Sequence, residues 1–170
     1  MPAIGITGHV HVPDEAIAWI AAALTAQLKD CTSSGWYGLT CLAQGTDQLF
    51  ANIILALGGR YKAVLPARDY SQQMIREGNG ERFTALVAAA DDVVTMPYRT
   101  SSREAYLAAS LAILGQCDLL LAVWDGKPPR QTGDTAHVVQ HARALSLPVA
   151  VVWPPAGSFA SNVPPGAMLA

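Results

Sequence analysis

The sequence predicts one α/β domain, built on a doubly wound, mostly parallel sheet of about six strands with helices on both faces. Three observations carry this. Apolar residues make up 51% of the chain and charged ones only 14%, too apolar for a disordered chain and suited to strands buried on both sides. Short apolar runs alternate with longer segments of helical period, the mark of consecutive β–α units. The 170 residues also match one domain, which at that size buries roughly 70% of the surface its unfolded chain exposes.

The first apolar run, Ala3–Thr7, reads as a strand leaving through Gly8. Pro13 and Asp14 then open a helix over Asp14–Lys29, with Ile17, Ile20, Leu24 and Leu28 at helical spacing. Tyr37–Leu42 is the second strand; it passes through Gly45 into a helix over Asp47–Leu57, which Gly58-Gly59 stops. Tyr61–Leu65 is the third strand. From Arg68 to Ala90 a helical period is interrupted by Gly78-Asn79-Gly80, which predicts one broken helix. Asp92–Thr95 is the fourth strand, and Ser101–Leu114 a helix ended by Gly115. Leu119–Val123 is the fifth strand, Thr135–Leu145 a helix entered from a glycine turn, and Val149–Trp153 the sixth strand. These elements place the domain at residues 1–154 and leave 155–170 as an irregular, proline-rich tail.

Charge and composition exclude several function classes. A net charge of −2 and the lack of any lysine and arginine stripe argue against a nucleic-acid partner. Met1–His9 lack the basic start and apolar run of a signal peptide, and no apolar segment reaches the ~18 residues of a membrane span, so the expectation is a cytoplasmic protein with no membrane partner. Cys31, Cys41 and Cys117 are odd in number, share no C-x-x-C spacing and sit in apolar segments; they read as core residues, not as disulfide or zinc ligands. His9 and His11 have no acidic or thiol partner near them in sequence, so no metal is expected, and no cofactor.

In open α/β sheets ligands bind outside the carboxyl ends of the strands, so the loops there supply the candidates. Thr7, Gly8 and His9 follow the first strand: the glycine lets backbone approach a ligand and the histidine brings a titratable nitrogen, or the turn is simply a tight strand exit. Gly45, Thr46 and Asp47 open the next helix, whose N-terminal amides favour an anion, or Thr46 serves as an N-cap and Asp47 complements the dipole. Trp124, Asp125, Gly126 and Lys127 begin the longest polar loop. It ends in Gly133, Asp134 and Thr135, where turn amides and a hydroxyl suit a phosphate under a lid of Lys127 and Arg130. Asp134 is an anion in that position and otherwise caps the helix. Trp124 offers either stacking on a base or buried packing. Gly126-Lys127 is no Walker motif, because Pro128 stands where Ser or Thr belongs, and Thr7-Gly8-His9 begins no G-x-G-x-x-G fingerprint.

Taken together, Ile4–His9, Leu42–Asp47 and the run Cys117–Val139 (CDLLLAVWDGKPPRQTGDTAHVV) resemble the SLOG superfamily, which unites LOG phosphoribohydrolases with DNA-processing protein A. The likeness runs from Ile4 to Pro154. It implies a Rossmann-like fold for nucleotides or nucleotide-derived ligands, with phosphate held at Gly133, Asp134 and Thr135. The hydrolytic LOG enzymes carry a Glu where this chain has Val138 and an Arg where it has Ala109; Arg99, Arg103 and Glu104 lie near the start of the same helix as substitutes. The superfamily also includes domains thought to sense nucleotide signals, which this sequence resembles more.

Three functions follow as expectations. The first is a module that binds or senses a phosphate-bearing, nucleotide-derived small molecule. The second is a nucleoside-monophosphate N-glycosidase with Glu104 or Asp125 as catalytic carboxylate. The third is an oligomerising, partner-docking module with a vestigial crevice, which leaves a homo-oligomer open.

Overall fold

A computed structural model describes residues 1–31 and 35–156. The six strands are β1 (Ala3–Gly8), β2 (Tyr37–Thr40), β3 (Arg60–Leu65), β4 (Asp92–Thr95), β5 (Leu119–Val123) and β6 (Val149–Val151). They form one sheet in the order β4-β3-β2-β1-β5-β6, and every pairing is parallel. The helices are α1 (Asp14–Cys31), α2 (Thr46–Ala56), α3 (Tyr70–Arg76), α4 (Gly80–Ala89), α5 (Arg103–Leu114) and α6 (Thr135–Ala144). The fold is thus α/β, Rossmann-like and doubly wound.

Alternation along the strands sends side chains to two cores. Ile4, Ile6, Tyr61, Ala63, Leu65, Leu121 and Val123 pack with Ile20, Leu24 and Leu28 of α1 and Phe50 and Ile54 of α2. Ala3, Leu39, Val64 and Leu120 pack with Ala109 and Ile113 of α5 and Val138 and Ala142 of α6. Gly5 makes the second contact close: a Cβ there would stand 2.8 Å from Ile113 Cγ2.

Several expectations need correction. Ala16, not Ile17, completes the inner stripe of α1; Ile17 is 41% exposed. The sheet is not covered on both faces throughout, because all four residues of the edge strand β4 are exposed. Cys41 and Cys117 are buried, but Cys31 is only half-buried. β2 ends two residues early, since Leu42 turns into the left-handed region at φ 55 and Leu42 N donates to Thr40 Oγ1. α5 begins at Arg103 because Ser102 is its N-cap, accepting from Ala105 N at 3.1 Å. The broken helix resolves into α3 and α4, with Gly78 at φ 74 between them. Of the expected tail, 157–170 lies outside the described residues. No helix among them is long and apolar enough to cross a membrane.

Candidate functional site

The chain runs from β1 out to β4 at one edge and then returns to β5 on the other side of β1. In doubly wound sheets the ligand crevice is bordered by the loops at such a reversal, here those after β1 and β5. His9, the first residue beyond β1, joins its walls. Its backbone N donates to Val123 O at 3.2 Å, and its Nε2 lies 3.3 Å from both Asp125 N and Asp125 Oδ1. Its carbonyl accepts from Thr46 Oγ1 at 2.8 Å, and its ring meets Trp153 edge-on at 5.6 Å. Neutral His9 can accept from the Asp125 amide, whereas protonated His9 donates to the carboxylate. Three loops far apart in sequence thereby meet on one residue.

Glycine is required on both sides of that junction. A Cβ on Gly8 would lie 2.5 Å from Thr46 Cγ2, and one on Gly45, whose φ is 89, would lie 2.3 Å from Val10 O. Gly45, not Thr46, is the N-cap of α2 and provides no side-chain cap; Thr46 is buried and spends its hydroxyl on His9 O. Asp47 also turns inward. One carboxylate oxygen accepts from Thr40 Oγ1 at 3.1 Å and Cys41 N at 3.0 Å, and burial pushes its pKa up to about 6 against the pull of hydrogen bonds from Thr40, Cys41 and Ala43. Next to it, Gln48 Nε2 donates to Leu42 O and Asn79 Oδ1. Thr7 is buried within β1, opposite Ala122.

In the loop after β5, Trp124 is engaged from within: its indole N–H donates to Lys127 O at 2.9 Å, and the Arg143 guanidinium lies 5.5 Å from the ring centroid. Lys127 Nζ stands 3.3 Å from Asp125 Oδ2. Partial burial works against ionisation of Asp125, but the Lys127 amide and ammonium, with His9, hold its carboxyl below the usual range. Gly126 is exposed at φ 80. Asp134 is the N-cap of α6. Its Oδ1 accepts from His137 N at 2.9 Å, and its Oδ2 from Arg130 N at 2.7 Å and Gln131 N at 3.2 Å. Against its partial burial, these amides keep it below the ordinary carboxylate range. Gly133 N donates to His137 Nδ1 at 2.9 Å, and Thr135 is buried.

The carboxyl end of the sheet also gathers arginines. Arg68, Arg99, Arg103 and Arg130 are exposed, and none forms an ion pair with a described residue. Backbone contacts bring their loops side by side. Arg68 N donates to Tyr98 O, Asp69 Oδ1 accepts from Ser101 N and Oγ, and Gly133 abuts the Arg103 carbonyl. Glu104 is exposed in the first turn of α5, and no hydrogen bond or ion pair links it to Asp125. Ala109 and Val138, where the hydrolytic enzymes carry Arg and Glu, are core residues. No group of three His, Cys, Asp or Glu among the described residues is placed to hold a metal. Sequence reading passed over His137 and Trp153; the i,i+4 spacing of Gly133 and His137 was the one signal for the former.

No protein-family model matches the chain, and no curated protein matches it in sequence. Among solved structures it is similar to DNA processing protein A from Streptococcus pneumoniae, at 14% identity and a TM-score of 0.69, over 95% of this chain and 54% of that one. DNA processing protein A from Helicobacter pylori, in a structure describing its single-stranded DNA binding mode, matches at 12% identity and a TM-score of 0.64, over 88% and 64%. The molybdenum cofactor carrier protein from Chlamydomonas reinhardtii matches at 20% identity and a TM-score of 0.54, over 91% and 78%. The chain spans about half the length of the Streptococcus protein. It shares their α/β, Rossmann-like fold, the fold that the resemblance implied.

One expectation falls with this comparison. Nucleic acid was excluded on a net charge of −2, yet the similar structures are of DNA processing protein A, one of them titled for single-stranded DNA binding. Net charge averages over the whole surface and is blind to cations gathered at one end.

Proposed function

We propose that the chain binds a nucleotide-derived ligand in the crevice between the carboxyl ends of β1 and β5. The observation that carries this reading is the junction at His9, where the β1 exit, the α2 turn and the β5 exit meet at the reversal of strand order. Ligands of doubly wound sheets lie at such a reversal. The anionic part of the ligand faces the arginine-bearing loops, and its sugar or base lies along Gly8, His9 and Trp153. Thermal unfolding against nucleoside monophosphates, dinucleotides and cyclic nucleotides tests this. At about a hundred times its dissociation constant, a ligand adds roughly 2.7 kcal/mol, or about 5–10 °C for a chain of this size. The expected result is such a shift for one class, lost in His9→Ala; no shift for any class removes the reading.

A second reading has its own support. The four exposed arginines and the likeness to a protein described as binding single-stranded DNA favour a strand of nucleic acid laid along the same loops. A short single-stranded oligonucleotide in the same panel separates the two.

A further inference from the structure

We infer that the pocket between α4 and the loop after β2 is a second binding site, in which Asn79 and the first turn of α4 hold the oxyanion head, phosphoryl or carboxylate, of a small organic ligand. The site lies apart from the crevice at His9, and the inference does not rest on the reading given for that crevice.

The side chain of Asn79 points to a ligand. It lines a pocket of about 1100 Å³ yet is only 8% exposed, and its neighbours fix which way its amide faces. The Leu42 carbonyl can only accept, so Gln48 must present its amide nitrogen there, at 3.1 Å. The same nitrogen meets Asn79 at 2.6 Å, so the Asn79 atom at that contact is its oxygen. The NH2 end of Asn79 is therefore left for the pocket. It has no acceptor among the described residues, and it is not among the polar atoms that they shut in. A nearly buried amide with its donor hydrogens unspent costs stability until something accepts them.

The helix supplies the rest of the donor set. Drawn inward by Gln48, Asn79 makes no capping bond, although it is the N-cap of α4. The amides of Gly80, Glu81 and Arg82 consequently have no acceptor among the described residues, whereas in α5 Ser102 accepts from Ala105 N. They stand at the positive end of the helix dipole. The Arg82 side chain, exposed and in no ion pair with a described residue, lines the same pocket, and the exposed carboxylate of Glu81 offsets its charge. Binding thus rests on converging hydrogen-bond donors, and an oxyanion is the group that accepts from several at once. Further along the pocket stand Ala85 and Ala88 of α4 and Ile75, which is 64% exposed. Small and apolar residues there suit an apolar body behind the charged head.

The test follows the Asn79 side-chain amide and the backbone amides of Gly80, Glu81 and Arg82 in ¹⁵N–¹H correlation spectra of the full chain. The probes are phenyl phosphate, benzoate and, as the uncharged counterpart, benzyl alcohol. The expected result is a saturable shift of this set with one or both anions, the tighter of them naming the head group, while benzyl alcohol and the capped Ala105 amide show none. In Asn79→Asp the oxygen that accepts from Gln48 is kept and a second oxygen replaces the NH2, so affinity should fall by roughly tenfold or more, the scale of one hydrogen bond to a charged group. Arg82→Gln, on the exposed side of the helix, should weaken binding as well, and it decides if Asn79→Asp does not fold. Failure of both anions to move the set, an equal response to benzyl alcohol, or wild-type affinity in the deciding variant overturns the inference. His9→Ala should leave this titration unchanged, so the two sites stand or fall separately.

Discussion

Asp47 stands second in α2, where an acid suits the helix dipole, yet its carboxylate points into the protein and its pKa lies at about 6. An acid whose folded pKa exceeds its unfolded one, about 3.9, keeps a proton in the folded state between the two values. Its ionisation therefore costs stability progressively as pH rises from about 4 to 6, by roughly 3 kcal/mol, and no further above that. Asp125 and Asp134 act in the opposite direction: their depressed pKa values give stability that is present above the ordinary carboxylate range and lost as pH falls below it. Melting temperature followed from pH 4 to 8 should fall across the lower half of that range in the wild-type chain and stay level in Asp47→Asn. An equal fall in both would mean that another group titrates there. Sequence could not show this, because an exposed first-turn acid and a buried one look alike until Thr40 and Cys41 are seen to fold back onto it.

Among the elements, the turn between β2 and α2 is the most constrained. Leu42 and Gly45 both have positive φ, 55 and 89, and Gly45 touches the Val10 carbonyl where any Cβ would go. Gly45→Ala should cost more than about 2 kcal/mol, from left-handed strain plus the displaced β1–α1 loop; a urea midpoint close to wild type would refute the contact. The glycine itself was legible as the opening of a helix, whereas its neighbour across the crevice was not. α1 teaches the same lesson about packing. Ala16 and Ile17 both fit an apolar stripe with Ile20, Leu24 and Leu28, and the helix buries the alanine completely while the isoleucine stays 41% exposed. Periodicity finds the face of a helix but not which of two adjacent apolar residues lies at its centre. β4 matched its expected span to the residue, yet burial on both faces is a property of neighbouring elements, and an edge position lacks them.

At the scale of the whole molecule, the strand order puts every candidate loop at one end, which alternation of strands and helices already implied. The joining of His9 to both Thr46 and Asp125, and the approach of Arg68, Arg99, Arg103 and Arg130, depend on strand order and were beyond sequence. If a strand of nucleic acid lies along those loops, its affinity should fall with salt at a log–log slope near −3, about −0.7 for each of four phosphates neutralised. Arg99→Ala or Arg130→Ala should each make the slope shallower by about 0.7, read by anisotropy of a labelled oligonucleotide; a slope near zero would leave only the small-ligand reading. Asp125 comes 116 residues after His9, and the bond from Ala3 N to Asp118 Oδ2 spans 115. In a chain emerging from the ribosome, β1 can gain β2 on one side early, but its other edge waits for β5. The crevice is therefore completed late, so occupancy of its wall at Trp153 by the ligand would certify that synthesis had passed residue 153 and would stabilise only chains that had.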